Sequence, residues 1–156
     1  MSSIIISAFP SMGKTTLYNE NKINYSDSDS SQFDKKRFPK NYIKHIKKVR
    51  KEKQLIFVSS HIDVRTELVK EKIPFIYVIP TMNRKIEFLE NYKNRGNTKE
   101  FIANVEMNWD RWLMLSAYNK AYPVYACKYG YLKDNLERII KEYCKFYKIG
   151  NIDWQV

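Results

Sequence analysis

The stretch that most constrains this chain is residues 3–17, Ser-Ile-Ile-Ile-Ser-Ala-Phe-Pro-Ser-Met-Gly-Lys-Thr-Thr-Leu. It opens with an apolar run whose length and composition suit a buried strand. A loop of small residues follows, and Gly13-Lys14-Thr15-Thr16 then leads into a sequence that can form a helix. We therefore predict a strand, a tight loop and a helix in direct succession, with the loop at the carboxyl end of the strand.

Residues 8–15 have the spacing of a phosphate-binding P-loop, G-x-x-x-x-G-K-[ST], with Ala8 in place of the first glycine. Backbone N–H groups must wrap around the phosphates, and glycine allows the close approach. The lysine charge suits the β- and γ-phosphates, and the Thr15 hydroxyl suits Mg²⁺. A positive φ at position 8 would strain Ala8, and an ordinary strand followed by a helix start is the alternative interpretation. The predicted nucleotide-binding residues are Ser11, Met12, Gly13, Lys14, Thr15 and Thr16.

Length and composition favour one globular domain over residues 1–156, since 44% of the 156 residues are hydrophobic and 15% are aromatic. No apolar run approaches the roughly 20 residues that cross a membrane, and the N-terminus lacks the basic region of a signal peptide. Cys127 and Cys144 lack metal-ligand spacing, so we expect reduced thiols. We therefore expect a cytoplasmic protein without a membrane partner.

The formal net charge is +11, and basic residues concentrate in residues 35–53. This charge predicts an anionic partner, and a nucleic acid can bind through the segment. A solvated helix face is the alternative interpretation. The ten basic residues are Lys35, Lys36, Arg37, Lys40, Lys44, Lys47, Lys48, Arg50, Lys51 and Lys53.

Hydrophobic patterning predicts strands that alternate with helices. The predicted strands are 3–8, 23–25, 54–59, 75–79 and 123–127. The predicted helices are 14–21, 39–53, one that starts at Ser60 or Asp63 with Val64, Leu68 and Val69 inward, 83–95, 98–117 and 131–147. This alternation implies a three-layer α/β/α fold with a mainly parallel sheet of about five strands. Ligands of such sheets bind at the carboxyl ends of the strands. Polar clusters at four such ends, 11–15, 27–31, 59–61 and 81–84, therefore predict one composite site.

With these residues in view, the chain resembles P-loop kinases of the nucleoside monophosphate kinase type, especially small adenylate kinase-like proteins of phages and bacteria. The resemblance rests on residues 9–16, 27–31, 59–61 with Arg65, and 91–96, and it covers about residues 3–115. It implies a P-loop kinase fold and Mg²⁺-assisted transfer of the γ-phosphoryl group of ATP to a nucleotide or nucleoside-type acceptor. Residues 118–156 carry no part of it.

The resemblance also implies roles at the acceptor side. Asp27 and Asp29 match the segment after the second strand, where one carboxylate can hold Mg²⁺ through water or orient the acceptor hydroxyl. A polar turn that caps a helix is the alternative there. Arg65 follows the third strand, where an arginine would bind the acceptor phosphate. Ser30 and His61 complete the candidate acceptor contacts with Asp29, although His61 can also be an ordinary histidine at a strand end.

Residues 83–97 match the lid that carries arginines over the phosphates. Arg84 and Arg95 are 11 residues apart and would share one face of a continuous helix. Gly96 beside Arg95 would permit a hinge. The resemblance thus assigns both arginines to charge stabilisation during transfer. An ordinary surface helix, with Ile86 and Leu89 against the sheet, is the alternative.

One departure from the family pattern concerns the strand beside the P-loop strand. Such kinases usually have an acidic residue at its end, where this chain has Ser59-Ser60. Either Asp27 or Asp29 substitutes, or the protein binds nucleotide without efficient turnover. Two further functions therefore stay open: a polynucleotide 5′-hydroxyl kinase whose basic helix follows the backbone, and a non-catalytic nucleotide-binding regulator or accessory protein.

Overall fold

A computed structural model describes residues 3–150 and builds them from alternating strands and helices. Short 3₁₀ turns at Ser30–Gln32 and Met82–Arg84 precede α2 and α4. In chain order the elements are β1 Ile4–Ala8, α1 Lys14–Glu20, β2 Tyr25–Asp27, α2 Lys40–Val49, β3 Leu55–Val58, α3 Ile62–Lys70, β4 Ile76–Pro80, α4 Lys85–Asn94, α5 Lys99–Ala117, β5 Val124–Cys127 and α6 Leu132–Tyr147.

The five strands form one parallel sheet in the order β2-β3-β1-β4-β5. Strand β1 lies at the centre, where Ile6 is in register with Phe57 of β3 and Ile76 of β4. Every residue of β1, β3 and β4 is buried, as expected of strands covered on both faces. The prediction of a mainly parallel sheet of about five strands is thus confirmed, and the sheet is entirely parallel.

Aromatic side chains fill much of the core between the sheet and its helices. Trp109 of α5 is fully buried, and its ring meets Phe9 edge-on and Phe88 of α4 at a tilt. Its indole N–H donates to the carbonyl oxygen of Met82 at 2.9 Å, so this polar group is satisfied within the core. These contacts fasten α4 and α5 beside the end of β1.

Several element boundaries differ from the sequence prediction. Strand β2 lies at 25–27 instead of 23–25, because Tyr25 pairs with Leu55 while Ile23 is 82% exposed. Val69 is 39% exposed, since Val64 and Leu68 form the buried face of α3. The helix predicted at 83–95 is interrupted after Arg84, which ends a 3₁₀ turn before α4 begins.

Two observations bear on the surroundings of the protein. Each helix within residues 3–150 is too short or too polar to cross a lipid bilayer. Both cysteines are free thiols, and burial raises the pKa of Cys127 to about 12. Cys127 is therefore an inert core residue and not a nucleophile.

Candidate functional site

A cavity of about 1160 Å³ lies at the carboxyl edge of the sheet, where the loops after the strands converge. Its walls come from five segments of the chain that lie far apart in sequence. They are residues 8–16 after β1, 27–31 after β2, Ser59 and Ser60 after β3, Asn91–Phe101 between α4 and α5, and Tyr131–Asp134 at the start of α6. The polar strand ends predicted to form one composite site therefore meet at this cavity, with the exception of His61 and residues 81–84.

The β1–α1 loop turns through two residues in the left-handed region, Ser11 with φ 70° and Gly13 with φ 88°. A side chain at position 13 would be strained by this φ, and its Cβ would come within 3.4 Å of the Cβ of Tyr131. Ala8 is the last residue of β1, and its φ is not positive. The strain expected at Ala8 is therefore absent, because the tight part of the turn comes later.

Two carbonyl groups of this loop accept hydrogen bonds from residues far away in the sequence. The Tyr92 hydroxyl donates to the oxygen of Pro10 at 3.0 Å, and the Leu132 N–H donates to the oxygen of Met12 at 2.9 Å. Met12 is fully buried, although it contributes to the cavity wall. Within the described part of the chain, none of the six backbone N–H groups from Ser11 to Thr16 donates a hydrogen bond. The loop thus offers a series of unpaired donors beside Lys14.

Lys14 lies within electrostatic range of two carboxylates and one guanidinium. Burial lowers the pKa of Lys14, the carboxylates of Asp27 and Asp29 oppose this, and Arg95 lowers the pKa further. The Thr15 hydroxyl donates to Oδ2 of Asp27 across 3.4 Å. The sequence candidates Lys14, Thr15, Asp27, Asp29 and Arg95 are therefore brought together.

Asp27 and Asp29 have different local roles. Oδ1 of Asp29 accepts the Ser31 N–H at 2.9 Å and caps the 3₁₀ turn Ser30–Gln32. This hydrogen bond is the main cause that lowers the pKa of Asp29, so its carboxyl is ionised at neutral pH. Asp27 is the last residue of β2 and faces Thr15. The polar turn considered for this segment does form, and its cap is Asp29.

Tyr42 of α2 connects the two strands that end beside these carboxylates. Its buried hydroxyl donates to the carbonyl oxygen of Ser28 at 2.7 Å and accepts the N–H of Ser59 at 3.1 Å. The Ser7 hydroxyl of β1 donates to the carbonyl oxygen of Ser59 at 2.9 Å. The carboxyl ends of β2, β3 and β1 are thereby linked side by side.

Three predicted site residues lie outside the cavity lining. Arg84 is 7% exposed, and its guanidinium donates to the carboxylate of Glu87 and to the carbonyl oxygens of Cys127 and Gly130. Arg65 donates to the carbonyl oxygen of Ser60 and the Tyr122 hydroxyl, and lies over the Tyr77 ring. His61 is exposed and caps α3 by accepting the N–H of Asp63. Each of these side chains thus has a structural partner.

The start of α6 contributes residues that sequence reasoning missed. Tyr131 lines the cavity, donates to Oε2 of Glu87 at 2.7 Å and accepts from the amide of Asn91 at 3.0 Å. Lys133 also lines it and pairs with Glu20 at 2.6 Å. The position of Gly130-Tyr131 in the sequence does indicate a place at the site, because it follows the carboxyl end of the last predicted strand.

Asn97, between α4 and α5, and Phe101, in the first turn of α5, add to the lining. Oδ1 of Asn97 is buried and accepts no hydrogen bond from any group within residues 3–150. A buried acceptor without a donor is costly, so this position favours a ligand or water that can donate. The nearby Arg95 is exposed and lines the same cavity, to which it adds a positive charge.

No known protein-family model matches this chain, and no curated protein sequence matches it either. The described residues define an α/β protein with a five-stranded parallel sheet and a polar cavity at its carboxyl edge.

Proposed function

We propose that this protein is an ATP-dependent phosphotransferase of the P-loop kinase type, which moves the γ-phosphoryl group of ATP to a nucleotide or nucleoside-type acceptor. One observation carries the proposal: the backbone N–H groups from Ser11 to Thr16 donate no hydrogen bond within residues 3–150, and these residues, Lys14 among them, contribute to the cavity wall. Such a concave series of donors suits the oxygens of a polyphosphate. Lys14 adds a positive charge. Because burial lowers the pKa of Lys14, a bound phosphate would stabilise its charged form.

Magnesium fits the oxygen atoms beside the loop. Neighbouring ligands of an octahedral Mg²⁺ lie about 2.9 Å apart, from its metal–oxygen distance of about 2.05 Å, and Thr15 Oγ1 lies 3.4 Å from Asp27 Oδ2. Within residues 3–150 no group of three or more His, Cys, Asp or Glu side chains can hold a metal. This agrees with an ion that takes only one or two protein ligands, here Thr15 and Asp27, and otherwise phosphates and water. Bound there, Mg²⁺ would offset the charge of the β- and γ-phosphates.

The acceptor side belongs to the segment after β2. Asp29 and Ser30 line the cavity, and the Asp29 carboxylate can accept a hydrogen bond from an acceptor hydroxyl. The hydroxyl oxygen bonds to the γ-phosphorus while the bond to the β–γ bridging oxygen breaks. ADP leaves, and the hydroxyl proton passes to the carboxylate. Arg95 supplies positive charge to the transferring group.

The test is an acceptor screen with ATP and Mg²⁺ that measures ADP release. The acceptors are nucleoside monophosphates, nucleosides and oligonucleotides with a 5′-hydroxyl. Lys14→Ala should abolish acceptor-dependent ADP release and weaken ATP binding while the circular dichroism spectrum stays unchanged. Lys22→Ala, at an exposed lysine beyond α1, is the matched control and should keep wild-type turnover.

Two outcomes would contradict the proposal. Wild-type turnover in Lys14→Ala would remove the P-loop assignment. ATP binding that depends on Lys14, without ADP release for any acceptor, would instead support the non-catalytic nucleotide-binding regulator.

A further inference from the structure

We propose that the exposed lysines of α2 bind the backbone of a single-stranded nucleic acid and lead one of its ends into the cavity. The binding step stands by itself, and the delivery of an acceptor end rests on the proposed phosphotransferase function. Lys40, Lys44, Lys47, Lys48 and Lys51, here called the α2 lysine stripe, carry the inference.

The α2 lysine stripe has the geometry of a backbone-binding surface. Its members follow the spacing i, i+4, i+7, i+8 and i+11, so they share one side of α2 and the turn after it, and all five are exposed. From Lys40 to Lys51 the stripe is about 16 Å long at 1.5 Å per residue.

The positive charge of this surface is largely uncompensated. Residues 35–53 contain ten Lys or Arg residues, and Glu52 is the one acidic residue among them. Of the stripe, Lys47 pairs with Glu71 at 3.2 Å, and the other four lysines form no ion pair within residues 3–150. The lysines repel each other because they carry like charges at helical spacing. Binding a polyanion offsets this repulsion and is therefore favoured.

The stripe is connected to the cavity through one side-chain contact. A groove of about 490 Å³ runs along Asn41, Lys44, His45, Lys47, Lys48 and Lys51. His45 Nε2 lies 3.2 Å from the hydroxyl of Ser28, and Ser28 lines the large cavity. The groove and the large cavity are therefore neighbours that share a wall at the His45–Ser28 contact, close in sequence to Asp27 and Asp29.

The apolar side of α2 argues against a membrane as the partner. Tyr42, Ile43 and Ile46 are buried in the core, so the helix has no free apolar face to insert among lipids. The exposed side presents ammonium groups, which bind phosphates electrostatically without reading base sequence. The preference for a single strand over a duplex belongs to the delivery step, in which one chain end enters the cavity.

The binding test uses a fluorescein-labelled oligothymidylate of 20 nucleotides, without ATP, and follows anisotropy between 50 and 200 mM NaCl. The logarithm of the association constant should fall linearly with the logarithm of salt concentration, with a slope of about −3 if four phosphates are neutralised. The triple variant Lys44→Gln, Lys48→Gln, Lys51→Gln should bind at least about tenfold more weakly at 50 mM NaCl. Its slope should be less steep by about 2.

The matched control carries Lys120→Gln, Lys141→Gln and Lys145→Gln, which remove the same charge from exposed positions after α5 and on α6. It should bind within about twofold of wild type. Equal losses in both triple variants would overturn the proposal, because net charge alone would then explain binding. Binding to phosphatidylserine vesicles without binding to the oligonucleotide would overturn it as well.

Delivery to the cavity is tested by transfer of labelled phosphate from ATP to oligonucleotides with a free hydroxyl at the 5′ or the 3′ end. Transfer to either end, reduced in the stripe variant, supports the proposal. Salt-dependent binding without transfer, when mononucleotides are phosphorylated, overturns the delivery step and leaves the proposed function intact. Salt-dependent binding with no acceptor phosphorylated at all contradicts the proposed function and leaves the binding surface in place.

Discussion

The Tyr42 hydroxyl donates a 2.7 Å hydrogen bond to the carbonyl oxygen of Ser28, the residue between the two carboxylates of the cavity. The same oxygen accepts the N–H of Ser59 at 3.1 Å, and the Tyr42 side chain is fully buried. One side chain of α2 therefore sets the spacing between the ends of β2 and β3. The positions of Asp27 and Asp29 depend on it, because they flank Ser28 directly.

Tyr42→Phe should lower the free energy of unfolding by about 2 kcal/mol, since it leaves a buried carbonyl and a partly buried N–H without their partner. Urea unfolding followed by circular dichroism measures the change. Tyr118→Phe, which removes a hydroxyl from a side chain that is 76% exposed, is the control and should cost less than about 0.5 kcal/mol. Equal stability of the two variants would show that the Tyr42 bridge has no net effect.

Asp27→Asn and Asp29→Asn should each lower kcat at least about tenfold and change the Kd for ATP less than about threefold. The reason is that Asp27 faces Thr15 beside the proposed metal, and the Asp29 carboxylate lines the cavity on the proposed acceptor side. Steady-state kinetics and calorimetric titration with ATP separate the two effects. Asp110→Asn, exposed on α5, serves as control. Near-normal rates in both single variants and in the double variant would show that the segment is a polar turn without a catalytic role.

The two arginines first assigned to a lid should behave differently. Arg95→Ala should lower kcat at least about tenfold, which is about 1.4 kcal/mol in the barrier, with a smaller change in KM. It should leave stability nearly unchanged because Arg95 is exposed. Arg84→Ala should instead destabilise the fold by about 2–3 kcal/mol, since Glu87 and two carbonyl oxygens lose their donor. Thermal unfolding and kinetics of both variants are the measurement, and an unfolding midpoint equal to wild type in Arg84→Ala would contradict this assignment.

Motion of the proposed lid should be limited to its end. Phe88 and Tyr92 of α4 are fully buried, and Tyr92 is bonded to Pro10, whereas residues 93–96 are exposed. Hydrogen exchange with and without a bisubstrate analogue should therefore show added protection at 94–97 and little change at 85–92. Equal protection of the whole segment in both states would leave no lid.

Acid should remove the contribution of the Glu87 carboxylate to stability. Hydrogen bonds from Arg84 hold the pKa of Glu87 below its usual value of 4.5, against the opposing effect of burial, and the Tyr131 hydroxyl adds to the lowering. Because the folded pKa is the lower one, the contribution is complete above about pH 4.5 and is lost as the pH falls through the folded value. The stability difference between wild type and Glu87→Gln should therefore shrink from pH 7 to pH 3 in urea unfolding. A difference that is constant with pH would contradict the prediction.

The central part of the fold was predictable because its signals are local. Strands β1 and β3 are continuous apolar runs, and the Gly-Lys-Thr-Thr sequence marks the loop that follows β1. Strand β2 was misplaced because only three residues pair with β3, so its position depends on a tertiary contact of Tyr25. Local patterning carries no information on such a contact.

The residues at the edges of the site were less predictable. The prediction that Arg84 and Arg95 share one face assumed a continuous helix. The 3₁₀ turn Met82–Arg84 breaks the helical periodicity between them. No local pattern in the sequence indicates a partner for Arg65. In the structure its guanidinium lies over the ring of Tyr77 in β4 and donates to the hydroxyl of Tyr122 in the loop before β5. Tyr131 was missed because its place beside Gly13 follows from the packing of α6 and not from a motif.

The hydrogen bond from the Leu132 N–H to the Met12 oxygen has a consequence for the order of events during synthesis. The loop beside Lys14 is translated about 120 residues before Tyr131 and Leu132, which supply part of its support. Contacts of such long sequence separation form late and slow the folding of a domain. A nascent chain that has not yet reached α6 therefore carries an incompletely supported β1–α1 loop, and the proposed nucleotide binding should appear only after residue 132 has left the ribosome.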